Sequence, residues 1–198
     1  TKGHTFAWND FAILVRANTH AEPFVRALMR HNVPYQFLGP GQLFRQPEIK
    51  DLIAYLQVLH NFEDNVAFFR VCSMDYFSIN ARDIAAIANL ARKKNLSLFE
   101  ASEMVAGERS SDGAPMPVLG DETVEIVTKL VSIIHRHLGL VTKESAGQLL
   151  FYFLSDTGIM RNILDYSAPI DEKIANNISK FFSKLKTYET DHADASVS

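Results

Sequence analysis

One cysteine in 198 residues leaves Cys72 without a possible partner, which excludes an internal disulfide and any cysteine-based metal spacing. No apolar run approaches the roughly 20 residues that a membrane-spanning helix needs, and no charged-then-apolar leader opens the chain. A reduced, cytoplasmic setting away from membranes is therefore expected. Positive charge is also scarce: 20 basic against 23 acidic residues give a formal net charge of -3. That balance excludes a surface coated in cations, so any nucleic-acid contact must be a local stripe or be shared with other domains. The sequence has no Gly-x-x-x-x-Gly-Lys-Ser/Thr loop and no Ser/His/Asp or Cys/His grouping, so it carries no complete active site. His135 and His137 stand two apart on an expected helix, point to different sides, and predict no metal site.

What is present is enough apolar material, 47%, for a real core in one domain or two small ones. Phe11–Val15 is continuously apolar, as in a strand buried on both faces of a parallel sheet. Thr19 can cap a helix over 20–31, Asn32 stops it, and Val33–Leu38 reads as a second strand, which together make a βαβ unit. Beyond it the pattern turns helical. Pro47 suits a first helical turn, and Ile49, Leu52, Ile53, Leu56 and Leu59 recur on one face. Further helices are expected over 65–71, 81–94, 97–105, 121–138, 145–155 and 171–188, with a Gly/Pro/Ser-rich linker over 107–117. The fold class is an α/β start followed by a mainly α-helical subdomain. Trp8 and most of the 14 phenylalanines read as core. The chain begins with Thr1 and ends in a polar tail, which reads as a piece of a longer polypeptide.

Two groups of side chains could carry chemistry. Arg16 ends the first apolar run, and at the carboxyl edge of a parallel sheet a side chain points into the crevice where nucleotides bind. Its planar fork could pair with a phosphate and stabilise charge during phosphoryl transfer; a surface arginine after a strand is the other reading. In the last helix Ile174, Ile178, Phe181 and Leu185 form an apolar stripe. Lys173, Asn177, Lys180 and Lys184 form another at i, i+4, i+7 and i+11. The lysine row is open to two readings, a track for a DNA backbone or a solvated face. Arg92, Lys93 and Lys94 have the same ambiguity, since basic residues at a helix end complement its dipole.

Asp10–Asn18 resembles motif IV of the UvrD/Rep/PcrA family of superfamily 1 DNA helicases. Gly39–Leu59 resembles motif IVa, with its Glu48-Ile49-Lys50-Asp51 core intact between a Gly–Gly turn and Tyr55-Leu56. Ser97–Ala101 and the Asn177-Ile178 pair followed by Phe181 are similar to the same family. The resemblance implies part of a RecA-like P-loop motor in an ATP-dependent DNA helicase. Residues 1–109 would be a partial second motor domain (2A-like), and residues 110–198 a helical insertion domain (2B-like).

Arg16 is implied as a catalytic and nucleotide-binding residue that reaches the γ-phosphate of ATP held by a preceding motor domain. ATP and Mg2+ are implied for the full-length protein, with none bound by this piece alone. The implied partners are single-stranded or forked DNA, the first motor domain of the same polypeptide, and a protein contacting the helical domain. Glu48, Lys50 and Asp51 are expected in helix-start electrostatics and ion pairs rather than on DNA.

The chain departs from the family pattern in three places. Val15 stands where tyrosine stacks on adenine, and valine has no aromatic face. Leu43 and Gln46 replace a second aromatic and an arginine. Asp75–Asn80 replaces a Pro-Arg-Gly-Ile-Gly turn and keeps only Ile79, so close backbone approach to DNA there is not expected. Val15 is compatible with a RecB/AddA-like helicase–nuclease. The acidic charge and lost glycines favour a helical protein-interaction module.

Overall fold

The computed structural model describes residues 6–37, 40–107, 109, 113, 115–164, 169–191 and 197, without the side chains of 18, 40–42, 162–164 and 169–171. The chain divides into two compact units, Thr1–Arg45 and Gln46–Ser198.

In the first unit a 3-10 turn over Trp8–Asp10 precedes helix α1, Asn18–Arg30, and a second 3-10 segment follows over Pro40–Arg45. Among the described residues there is no strand, so the expected α/β start with its βαβ unit is not found. Phe11 to Val15 is non-helical without a ladder, and its side chains are exposed except for a half-buried Val15, with Leu14 at 95%. The apolar run encodes a demand for burial on both faces, but a strand exists only when a neighbour takes its backbone hydrogen bonds. No described segment does so. Val33 to Phe37 is likewise irregular, and the expected turn at Gly39 lies outside the described residues.

Trp8 is 63% exposed rather than core, because no described residue of this unit covers it. Thr19 does not cap α1; Ala17 is the N-cap, without a side-chain hydrogen bond. Asn32 turns left-handed (φ 52°) just past the helix end, and the Val33 amide closes back on the Leu28 carbonyl at 2.9 Å. Asparagine tolerates that conformation better than most residues.

Every regular element described in the second unit is a helix. Its elements are α2 Pro47–His60, α3 Asn65–Cys72, α4 Ala81–Lys94, α5 Leu98–Val105, α6 Asp121–Leu138, α7 Ala146–Thr157, α8 Ile159–Leu164 and α9 Pro169–Asp191. Their starts follow from capping chemistry. Asp64, Asn80, Ser97 and Ser145 each accept hydrogen bonds from first-turn amides, and Ser97 with Glu100 completes a capping box. Helix α6 begins at Gly120, which has no side chain to cap with. Asp83 of α4 does it instead, accepting from the Gly120 amide at 3.2 Å and the Thr123 hydroxyl at 2.6 Å. Those two hydrogen bonds hold the Asp83 pKa below its ordinary range.

The core lies where α2 meets α3, α6, α7 and α9. Ile49, Tyr55, Phe68, Leu130 and Phe153 are its large, fully buried members.

Helix α7 stops at Gly158, whose φ of 89° is open to glycine and strained for other residues. The Tyr76 hydroxyl donates to the Thr157 carbonyl at 2.5 Å, and a Cβ on Gly158 would meet that hydroxyl at 2.9 Å. Gly158→Ala should therefore cost more than about 1 kcal/mol in a urea unfolding measurement. Adding Tyr76→Phe should recover only the steric part, leaving the backbone strain. An unchanged midpoint in the single variant would refute the assignment.

Candidate nucleic-acid interface and its anchoring

Helix α9 is held on one side and open on the other. Ile178 and Phe181 are buried. Asn177 donates its side-chain amide to Glu48 Oε1 at 2.7 Å, tying the middle of α9 to the first turn of α2. Near the other end, Glu189 accepts from the Gly147 amide at 3.1 Å and so caps α7 from outside. A Cβ on Gly147 would lie 2.8 Å from that carboxylate, so glycine permits the approach.

With this face fixed, Lys173, Lys180 and Lys184 are exposed and make no ion pair with a described residue. At 100° per residue the stripe spans about 60° of the helix, and 11 residues at 1.5 Å give a row about 16 Å long. Asn177 belongs to the stripe by spacing, but its amide is engaged by Glu48.

The tetrapeptide at the start of α2 sends its four residues in four directions. Glu48 reaches α9 through Asn177. Ile49 is wholly buried. Lys50 points to solvent. Asp51 pairs with Arg70 of α3 at 2.7 Å, and the same guanidinium nitrogen also donates to the Pro47 carbonyl at 3.2 Å. Burial raises the Asp51 pKa, with Arg70 opposing the shift. The carboxylates of this motif thus join helices, and an acidic first turn suits the helix dipole.

Arg16 is exposed, in a bend after the apolar run, and forms no hydrogen bond or ion pair with a described residue. It lies in the first compact unit and the lysine row in the second. Among the described residues no three His, Cys, Asp or Glu side chains come together as a metal site would require. The turn at Asp75–Asn80 keeps a left-handed residue just before Ile79, where the family pattern has glycine: Ser78 takes φ 51°, with its hydroxyl bonded to the Asp75 carbonyl at 3.0 Å. Asn80 caps α4.

His135 and His137 do go to different partners. His135 Nε2 lies 2.6 Å from Glu103, while His137 is buried between Tyr55 and Asp156. The Tyr55–His137–Asp156 trio, with its first two members buried and Asp156 partly exposed, and the Glu48–Asn177 bond have no sequence pattern, because their members are 19 to 129 residues apart. Among the described residues no helix is long and apolar enough to cross a membrane.

The profile of the UvrD-like helicase C-terminal domain matches residues 2–194. The chain belongs to that family. As a UvrD-like helicase C-terminal domain it is similar to the ATP-dependent DNA helicase Rep of Buchnera aphidicola subsp. Acyrthosiphon pisum, 32% identical over 129 residues, which is 65% of this chain and 19% of that protein. It is similar to Rep of Escherichia coli K12, 38% identical over 95 residues, or 48% of this chain and 14% of that protein. It is also similar to the ATP-dependent DNA helicase UvrD1 of Mycobacterium leprae, 25% identical over 195 residues, 98% of this chain and 24% of that protein. This UvrD-like chain spans less than a quarter of the length of each of these relatives.

Proposed function

We propose that this UvrD-like domain works within an ATP-driven DNA helicase of repair or replication, in the cytoplasm, and contributes a phosphate-sensing arginine and a DNA-contacting helix. The observation that carries the reading is the α9 geometry, in which one face is anchored by Asn177, Ile178 and Phe181 while three lysines that pair with no described residue are exposed. On this reading residues 1–109 serve as the 2A-like part of a second motor domain, and 110–198 as the 2B-like insertion. Lys173, Lys180 and Lys184 meet backbone phosphates of single-stranded or forked DNA, and Asn177 holds their stripe in register. Arg16 meets the terminal phosphate of ATP bound by a first motor domain. ATP with Mg2+ supplies the transferable phosphoryl group in the full-length protein; the chain alone is inactive. Val15 is compatible with one second reading, a motor of the RecB/AddA helicase–nuclease kind.

The test is salt-dependent binding of a forked duplex. The chain should bind with a negative slope of log K against log salt, and Lys180→Glu/Lys184→Glu should flatten that slope by about 2 while weakening binding at least tenfold at low salt. Absence of binding at low salt, or equal binding by the variant, would sink the DNA assignment and favour a protein partner for this face.

A further inference from the structure

We propose that Tyr55, His137 and Asp156 form a proton-sensitive latch, which holds the helix carrying Glu48–Asp51 against α6 and α7 while His137 is neutral and opens when His137 takes up a proton. The latch does not depend on the DNA reading above. It rests on the bonding of a histidine with no exposed surface. His137 Nδ1 lies 2.5 Å from the Tyr55 hydroxyl of α2, and Nε2 lies 3.0 Å from Asp156 Oδ2 of α7. The Tyr55 ring is itself buried and stacks on Phe153 of α7, with centroids 3.8 Å apart.

One assignment of protons satisfies all three groups. The Asp156 carboxylate only accepts, so Nε2 carries the imidazole hydrogen; Nδ1 then accepts from the Tyr55 hydroxyl. A second proton must go to Nδ1, the atom that receives the tyrosine hydrogen. The hydroxyl would then accept from Nδ1–H, and its own hydrogen would be left buried without an acceptor.

Asp156 would welcome an imidazolium, but Arg136 of α6 already bonds the same Oδ2. The titratable and charged groups around the imidazole are Tyr55 from α2, Arg136 from α6, and Asp156 with Tyr152 from α7. One cation and one anion offset each other, and desolvation decides.

Burial accordingly lowers the His137 pKa from its ordinary 6.5, with Asp156 opposing the shift. The sign follows. The unfolded chain takes the proton at its ordinary value while the folded chain resists it, so the stabilisation is complete above that value and is lost as pH falls below it. The lowered carboxylates Asp83 and Glu100 act in a more acidic window and do not mimic the effect.

The experiment combines imidazole 15N spectroscopy with amide exchange on the whole chain between pH 7.5 and 5.5. The wild type should show His137 in the Nε2–H form at pH 7.5. After correction for intrinsic exchange, amides of α2, α6 and α7 facing the latch should open severalfold, and at most about tenfold, more often at pH 5.5 than at pH 7.5, with α4 unaffected. His137→Gln supplies an amide donor for Asp156 and a carbonyl acceptor for Tyr55 without titrating, and it should flatten the pH profile. An Nδ1–H tautomer, or parallel profiles for wild type and variant, would overturn the proposal. Should the variant not fold, the tautomer and the exchange profile of the wild type decide alone: Nε2–H with no opening at pH 5.5 also overturns it.

Discussion

On the role proposed for it, Arg16→Ala in the full-length protein is expected to lower DNA-stimulated ATP turnover by about 10³-fold, while nucleotide affinity stays within a few-fold of wild type. That loss corresponds to about 4 kcal/mol of transition-state stabilisation. Arg16 is exposed and bonds no described residue, so its removal takes away no internal support that could imitate a catalytic defect. A change confined to charge developing on the phosphate would lower kcat and leave binding largely intact. Arg16→Lys should recover only part of the rate, because a lysine keeps the charge but loses the planar two-pronged donor. Steady-state turnover and nucleotide titration together make the measurement. Turnover within twofold of wild type in Arg16→Ala would end the assignment.

Phe153→Ala should destabilise the chain by about 3–5 kcal/mol in urea unfolding. The side chain has no exposed surface and stacks on Tyr55 with ring planes 20° apart. Removing it opens a cavity between α7 and α2 and unseats the tyrosine that bonds His137. Against a typical total of about 5–15 kcal/mol, such a loss leaves a marginal fold. Phe153→Leu, which fills much of the space, should recover more than half. A cost under about 1 kcal/mol for the alanine variant would mean that the site relaxes around the hole.

The helical part of this fold was legible because its boundaries are written in local chemistry. Pro47, Asp64, Asn80 and Ser145 start helices where cap and first-turn preferences predict, and 81–94 and 121–138 are the spans observed. The apolar run at Phe11–Val15 misled for a physical reason. It specifies a wish for burial, while a strand requires a partner that local sequence does not name. Thr19 likewise offers a capping hydroxyl, yet the helix begins one residue ahead of it. At the candidate interface the lysine spacing was visible, but the engagement of Asn177 by Glu48 was not, since it is set by packing between remote helices. The two-residue spacing of His135 and His137 did predict different partners, but the place of His137 as a buried link could come only from what the fold brings beside it.

The Glu48–Asn177 bond has a consequence for the order of events on the ribosome. Its two ends are 129 residues apart. At about 5–20 residues per second, the first turn of α2 waits roughly 6–26 s for its partner to be synthesised. During that interval Glu48 is served by water, and the buried seats of Ile178 and Phe181 have no occupant. The unit therefore reaches its finished form only when its last helix arrives, and the lysine row comes into register at the same moment as the helix that supports it.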